Sequence, residues 1–196
     1  MNNPAESRWR LFVALRLPDE VRAALKLAQQ ELRDLISPGG ASWPRPEHLH
    51  LTLRFLGDVD CRQIDELKSV LQTATGMVGL IELRCERLGC FPDLRRPKVA
   101  WAGVHDDEER LTALQHEIEA VTGPFTPQPA EARFIGHVTL ARLRRCPRPE
   151  VERIAEWVEG AVDRRFGSWQ AGEIELIRSE LSAGGSRYST LAVIPL

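Results

Sequence analysis

The chain has 196 residues, 26 Lys and Arg against 28 Asp and Glu, a formal net charge of −2 and 43% hydrophobic residues; this excludes a disordered chain and suits one domain with a substantial core. No apolar run approaches the ~20 residues of a membrane span, and Met1 to Arg10 is polar without the apolar centre of a signal peptide, so the expected setting is the cytoplasm. The near-neutral charge also excludes a protein that coats long nucleic acid through many phosphate contacts.

Leu11 to Leu17 reads as a buried strand. Pro18-Asp19-Glu20 then looks like a helix start, with two carboxylates where the helix dipole favours them. Val21, Leu25, Ala28, Leu32 and Leu35 recur at helical spacing, and Ser37-Pro38-Gly39-Gly40 ends the run. His48 to Gly57 alternates strictly and predicts a strand with two unlike faces. A second amphipathic helix spans about Ile64 to Thr73, with Ile64, Leu67 and Leu71 inward, and Leu80 to Cys85 predicts a strand. The order then repeats. Val99 to Val104 reads as a strand, Asp106 to Val121 as a helix, Phe134 to Leu140 as a strand and Pro149 to Gly160 as a helix. Glu173 to Ile177 is a further strand, and a terminal hairpin turns at Gly184-Gly185 and closes through Tyr188 to Ile194.

The two halves keep a common register. His50 and His137 are 87 positions apart, as are Thr52 and Thr139, and Asp65 and Glu152; Asp19 and Asp107 are 88 apart. Four matching landmarks predict an internal duplication, over about 10–90 and 97–181. With no Pro/Ser-rich linker between the halves, residues 1–196 are expected to form a single bilobal domain. The expected fold class is α+β: two duplicated β-α-β-α-β lobes related by a pseudo-twofold, with a central groove between antiparallel sheets. Cys61, Cys85, Cys90 and Cys146 form no Cys-x-x-Cys pair and have no His at zinc-finger spacing, so free thiols are expected and a structural zinc site is not.

The chemical signal is His-x-Thr-Leu, at His50-Leu51-Thr52-Leu53 and again at His137-Val138-Thr139-Leu140. In a strand, residues two apart share a face, so each His points the same way as its Thr. A pseudo-twofold would place both pairs around one groove. One neutral imidazole can take a proton from an attacking hydroxyl while the other, protonated, gives one to a leaving oxygen. The hydroxyls can hold non-bridging phosphate oxygens. Two His without a third ligand on these strands make a poor metal site, so neither a metal nor another cofactor is expected. His48 has Ile135 as its counterpart and is read as a groove-edge residue; His105 and His116 are read as solvated.

With these motifs the chain resembles the two-histidine (2H) phosphoesterase superfamily. More narrowly, it resembles the RNA 2′,3′-cyclic phosphodiesterases, also called 2′-5′ RNA ligases. The resemblance runs through Arg10 to Leu15, Trp43-Pro44, His50 to Gly57, Phe91-Pro92, Pro97 to Trp101, His137 to Arg142, Arg178 to Leu181, Gly185 to Tyr188 and Pro195-Leu196. It implies hydrolysis of an RNA-terminal 2′,3′-cyclic phosphate to a 2′-phosphate. His50 and His137 would be the acid–base pair, and Thr52, Thr139 and Arg142 would bind the phosphate. The family usually has Pro before the second His, where this chain has Gly136.

Alternation places Arg142 on the face opposite His137, so it reaches the groove only through a bulge or strand end near Leu140, or by curling round. Arg54 has the groove-facing parity. Trp43 and Phe55 could stack on a base or serve the core. Which His is acid and which is base stays open. The expected partner is RNA ending in a 2′,3′-cyclic phosphate, or a nucleotide 2′,3′-cyclic phosphate, with a monomer as the default and no membrane. The rivals are a nucleotide- or RNA-end-binding module without turnover, and a phosphodiesterase for another cyclic nucleotide-type phosphate. Basic clusters at Arg142, Arg144, Arg145 and Arg148, and at Arg95, Arg96 and Lys98, fit an enzyme that grips an RNA end rather than a long strand.

Overall fold

The computed structural model describes residues 7–182 and 185–196. Gly184 of the expected terminal turn, and residues 1–6, lie outside the described residues. In chain order come β1 (Arg8–Arg16), α1 (Asp19–Asp34), β2 (Ala41–Ser42), β3 (His50–Asp60), α2 (Ile64–Thr75), β4 (Ile81–Phe91), β5 (Val99–His105), α3 (Arg110–Thr122), β6 (His137–Leu143), α4 (Arg148–Glu159), β7 (Arg165–Ala171), β8 (Glu173–Ser182) and β9 (Gly185–Pro195).

The architecture is the expected α+β one, with antiparallel strand pairs throughout and helices between strands. The strands join in one sheet in the order β7-β4-β5-β6-β3-β1-β8-β9, with β2 added beside β6. Its centre is the β3–β6 seam, where Leu51 pairs with Val138. Outward from that seam, β3 is followed by β1 and β8, and β6 by β5 and β4. The last strand of each half in sequence therefore lies in the sheet beside the other half. β4 follows α2 in the chain but pairs with β5, and β8 follows β7 but pairs with β1. This crossing interlocks the halves, which explains why no linker separates them.

Alternation sorts the strands. Leu11, Val13, Leu15, Leu51, Leu53, Ala100, Ala102, Val104, Val138 and Leu140 enter the main core. Val21, Leu25, Ala28 and Leu32 of α1, Leu67 and Leu71 of α2, Leu111, Leu114 and Ile118 of α3 and Ile154 of α4 fill the same core from the helices. α1 carries Asp19 and Glu20 in its first turn and Arg33 in its last, as the dipole favours. α3 begins four residues later than its periodicity suggests. Asp106 accepts hydrogen bonds from the backbone N–H groups of Arg110 (2.7 Å) and Leu111 (3.3 Å), satisfying donors at the helix start from outside it. A second, smaller cluster of Phe12, Ala14 and Ile177, with Tyr188 against it, lies apart from the main core.

Candidate active site

β3 and β6 carry the two motifs side by side. His50, Thr52, His137 and Thr139 are half-buried, while Leu51, Leu53, Val138 and Leu140 are buried on the other face. Each strand then bulges. Val13 pairs with Arg54 but Ala14 with Thr52, which leaves Leu53 without a partner on β1. Ala100 pairs with Ala141 but Trp101 with Thr139, which leaves Leu140 without a partner on β5. An extra residue reverses the alternation beyond it. Positions 53 and 54, like 140 and 141, are both buried, and positions 55 and 142 return to the exposed side.

The bulges settle two expectations. Arg142 lines the cleft with the His and Thr pairs. Arg54 does not, contrary to its strand parity. It is 3% exposed and ion-paired with Glu119, and it donates to the carbonyls of Pro129 (2.8 Å) and Gln128 (2.9 Å). Phe55, not Arg54, is on the cleft side, where it stacks on Phe12 with 5.5 Å between ring centroids.

The cleft has a volume of about 290 Å³ and brings together His50, Thr52, Phe55, His137, Thr139 and Arg142. Trp43 also lines it, with the Arg33 guanidinium 4.4 Å from its ring centroid. His48 ends a 3-10 turn (Pro46–His48) rather than starting the strand, and its ring reaches the cleft 4.5 Å from that of Tyr188. Of the other histidines, His116 is exposed, while His105 ends β5 with its Nε2 3.5 Å from Glu86. Among the described residues no group of three or more His, Cys, Asp or Glu is placed to hold a metal ion.

Both imidazoles are aimed alike. His50 Nδ1 lies 2.7 Å from the His48 carbonyl, and His137 Nδ1 lies 2.8 Å from the Ile135 carbonyl. A carbonyl only accepts, so each Nδ1 carries the proton and each Nε2 is left for a ligand. Rings hold the imidazoles in place. Phe12 stacks on His50 at 4.8 Å and Tyr188 meets its edge at 5.6 Å; Phe91 meets His137 edge-on at 5.0 Å. Gly136, the departure from the family pattern, allows a close backbone approach. A Cβ there would fall 2.3 Å from the Val104 carbonyl oxygen, and Val104 N–H donates to the Gly136 carbonyl at 2.8 Å.

Burial lowers the pKa of both imidazoles. Burial pushes the His50 pKa down to about 4, against the pull of the His48 carbonyl and helped by charge on His48, Arg142 and His137. His137 is also pushed down by burial, against the Ile135 carbonyl, with Arg142 adding to the effect. Tyr188, Phe12 and Phe91 were not singled out as site residues from sequence. Their distance in the chain from the histidines hides the contact, although Phe12, Phe91-Pro92 and Gly185 to Tyr188 fall within the segments of family resemblance.

Two imidazoles, two hydroxyls and a guanidinium around one cleft are groups able to move protons and hold a phosphate. The family model described as LigT like Phosphoesterase matches residues 15–101 and again 104–188, and the chain belongs to that family. It is 33% identical over 192 residues to the RNA 2′,3′-cyclic phosphodiesterase of Thermus thermophilus, covering 93% of this chain and 87% of that one. It is 30% identical over 184 residues to the protein of the same name from Archaeoglobus fulgidus, covering 94% and 98%. In three dimensions it resembles TT0787 of Thermus thermophilus, with a TM-score of 0.77 at 28% identity over 95% of this chain and 97% of that one. E. coli LigT complexed with 3′-AMP shares the fold, with a TM-score of 0.75 at 22% identity over 96% and 98%.

Proposed function

We propose that this phosphoesterase hydrolyses an RNA-terminal 2′,3′-cyclic phosphate to a 2′-phosphate, with His50 as base and His137 as acid. The observation that carries the reading is the matched pair of Nε2 atoms in one cleft with Thr52, Thr139 and Arg142. His50, held neutral by burial, takes a proton from water as its oxygen attacks phosphorus. The P–O3′ bond breaks, and O3′ receives the proton from Nε2 of protonated His137. A 2′-phosphate and a free 3′-hydroxyl result, and solvent returns the proton from His50 to His137. The bound phosphate anion favours the protonated acid, offsetting the burial that pushes His137 down.

Thr52, Thr139 and Arg142 hold the non-bridging oxygens, and Phe55 and Trp43 offer faces to the terminal base. The names of the curated relatives support the substrate. A cleft of about 290 Å³ supports a single terminal nucleotide as the recognised unit. The ligase reaction, in which an RNA 5′-hydroxyl takes the place of water, attacks the cyclic phosphate and forms a 2′-5′ bond as O3′ leaves with the proton from His137, would use the same groups. The two family-model matches, at 15–101 and 104–188, support an ancestral duplication within one domain as the origin of the paired motifs.

The test is turnover of a cyclic-phosphate-ended oligoribonucleotide and of a nucleoside 2′,3′-cyclic phosphate, each with and without EDTA. Release of the 2′-phosphate from both, unchanged by EDTA, is expected. Binding without product would favour a non-catalytic module, and turnover abolished by EDTA would contradict the metal-free mechanism.

A further inference from the structure

We propose that Gln29, on α1, is a positioning residue for the phosphate site: its buried amide holds the β6 bulge in the shape that turns Arg142 into the cleft, and ties the cleft rim to it. Gln29 is 3% exposed, an uncommon place for an uncharged polar side chain unless its hydrogen bonds are made. Its Nε2 donates to the Leu140 carbonyl at 2.8 Å and to the Pro44 carbonyl at 3.1 Å. Both partners only accept, so the NH2 end must face them, and both of its hydrogens are used.

The two acceptors matter for the site. Leu140 is the residue that the β5–β6 ladder skips. A bulge leaves an unpaired group, and a buried carbonyl without a donor costs about 1–3 kcal/mol. Gln29 supplies that donor at the residue where alternation reverses, two positions before Arg142. Pro44 lies between Trp43 and Arg45, all three on the cleft, and the same rim is joined to β6 by the Ser42–Arg142 pairing. One amide thus fixes the guanidinium's strand and the facing wall.

The other half gives an internal comparison. The buried Leu25, Ala28, Gln29 and Leu32 of α1 recur on α3 as Leu111, Leu114, Gln115 and Ile118. Gln115 is fully buried, yet neither atom of its amide has a hydrogen-bond partner among the described residues. On β3, the strand α3 packs against, the Arg54 guanidinium holds the Gln128 and Pro129 carbonyls instead, and Phe55 stands on β3 where Arg142 stands on β6. A glutamine at this helix position fits the core in both halves, but it makes hydrogen bonds only where the bulge aims an arginine.

The inference rests on the phosphoesterase reading of the cleft, and a double-mutant cycle separates the two. kcat/KM on a nucleoside 2′,3′-cyclic phosphate, inhibition by inorganic phosphate and Tm are measured for wild type, Gln29→Met, Arg142→Ala and the double variant. Gln29→Met keeps the volume and removes the donors. It is expected to lower kcat/KM and weaken phosphate inhibition roughly tenfold, but to cost less than about twofold once Arg142 is Ala. Gln115→Met, the control, is expected to leave kcat/KM unchanged. Should Gln29→Met fail to fold, Gln29→Glu is read instead. Its carboxyl donates only when protonated, so its activity relative to wild type should rise as pH falls. Equal loss in both Arg142 backgrounds, wild-type kinetics in Gln29→Met, or a pH-independent ratio for Gln29→Glu would overturn the positioning role alone. A wild type without turnover would overturn the reading of the cleft and this inference with it.

Discussion

His50 and His137 are held by the same device: each Nδ1–H donates to the carbonyl two residues earlier, at 2.7 and 2.8 Å. The two rings thereby keep one tautomer and one orientation without a carboxylate partner. What distinguishes them is their surroundings. His50 feels His48, Arg142 and His137, whereas Arg142 is the charge that acts on His137.

That difference fixes a pH profile. The base must be neutral, so activity rises as pH passes upward through the His50 value of about 4. The acid must be protonated, so activity falls as pH passes upward through the His137 value, which burial lowers from 6.5. kcat/KM, which reports the free enzyme, is expected to be bell-shaped with its optimum below pH 6.5. kcat reports the complex, where the phosphate charge raises both values, and its profile is expected to shift to higher pH. Steady-state rates from about pH 3 to 9 check both.

Stability should follow the same group. His50 has a folded pKa below its unfolded value, so the folded state binds fewer protons between about pH 4 and 6.5. Stability is expected to fall as pH drops through that window and to level off below it. His50→Asn should flatten this part of a Tm-against-pH curve, measured by calorimetry.

Thr139→Val keeps the β-branched shape on β6 and removes the hydroxyl proposed to hold phosphate. A loss of about 10²-fold in kcat/KM with Tm little changed is expected. Steady-state kinetics beside a thermal melt check it.

Arg54 offers the opposite test. Its guanidinium and Glu119 are both largely buried, so Arg54→Leu strands a carboxylate and two loop carbonyls. A destabilisation of about 3–5 kcal/mol is expected. Urea unfolding measures it, and kcat/KM in mild conditions should stay near wild type because Arg54 does not reach the cleft.

Arg54 and Arg142 also show what a sequence carries and what it hides. Period-two alternation located His50, Thr52, His137 and Thr139, because a regular strand keeps side chains two apart on one face. The same rule misplaced Arg54 and left Arg142 in doubt, because a bulge is set by how strands meet across the sheet, and neither strand signals its own. The helices were legible from Leu and Val spacing; only their ends shifted, as where Asp106 serves α3 from outside it. β7 is not legible in the sequence because Arg165, Ser168 and Gln170 break its apolar pattern on the outermost strand of one side. β4 crosses by pairing with β5, the next strand, but the return of β8 to β1 joins segments far apart in the chain, and such distance also hides the contacts of Tyr188 and Phe91 with the histidines.

The most direct test of the two-histidine account is 31P NMR of a cyclic-phosphate-ended oligoribonucleotide incubated with wild type, His50→Ala and His137→Ala. Wild type is expected to give the 2′-phosphate alone, and each variant to open the ring at least about 10²-fold more slowly. Ring opening at the wild-type rate by either variant, or a 3′-phosphate product from wild type, would contradict it.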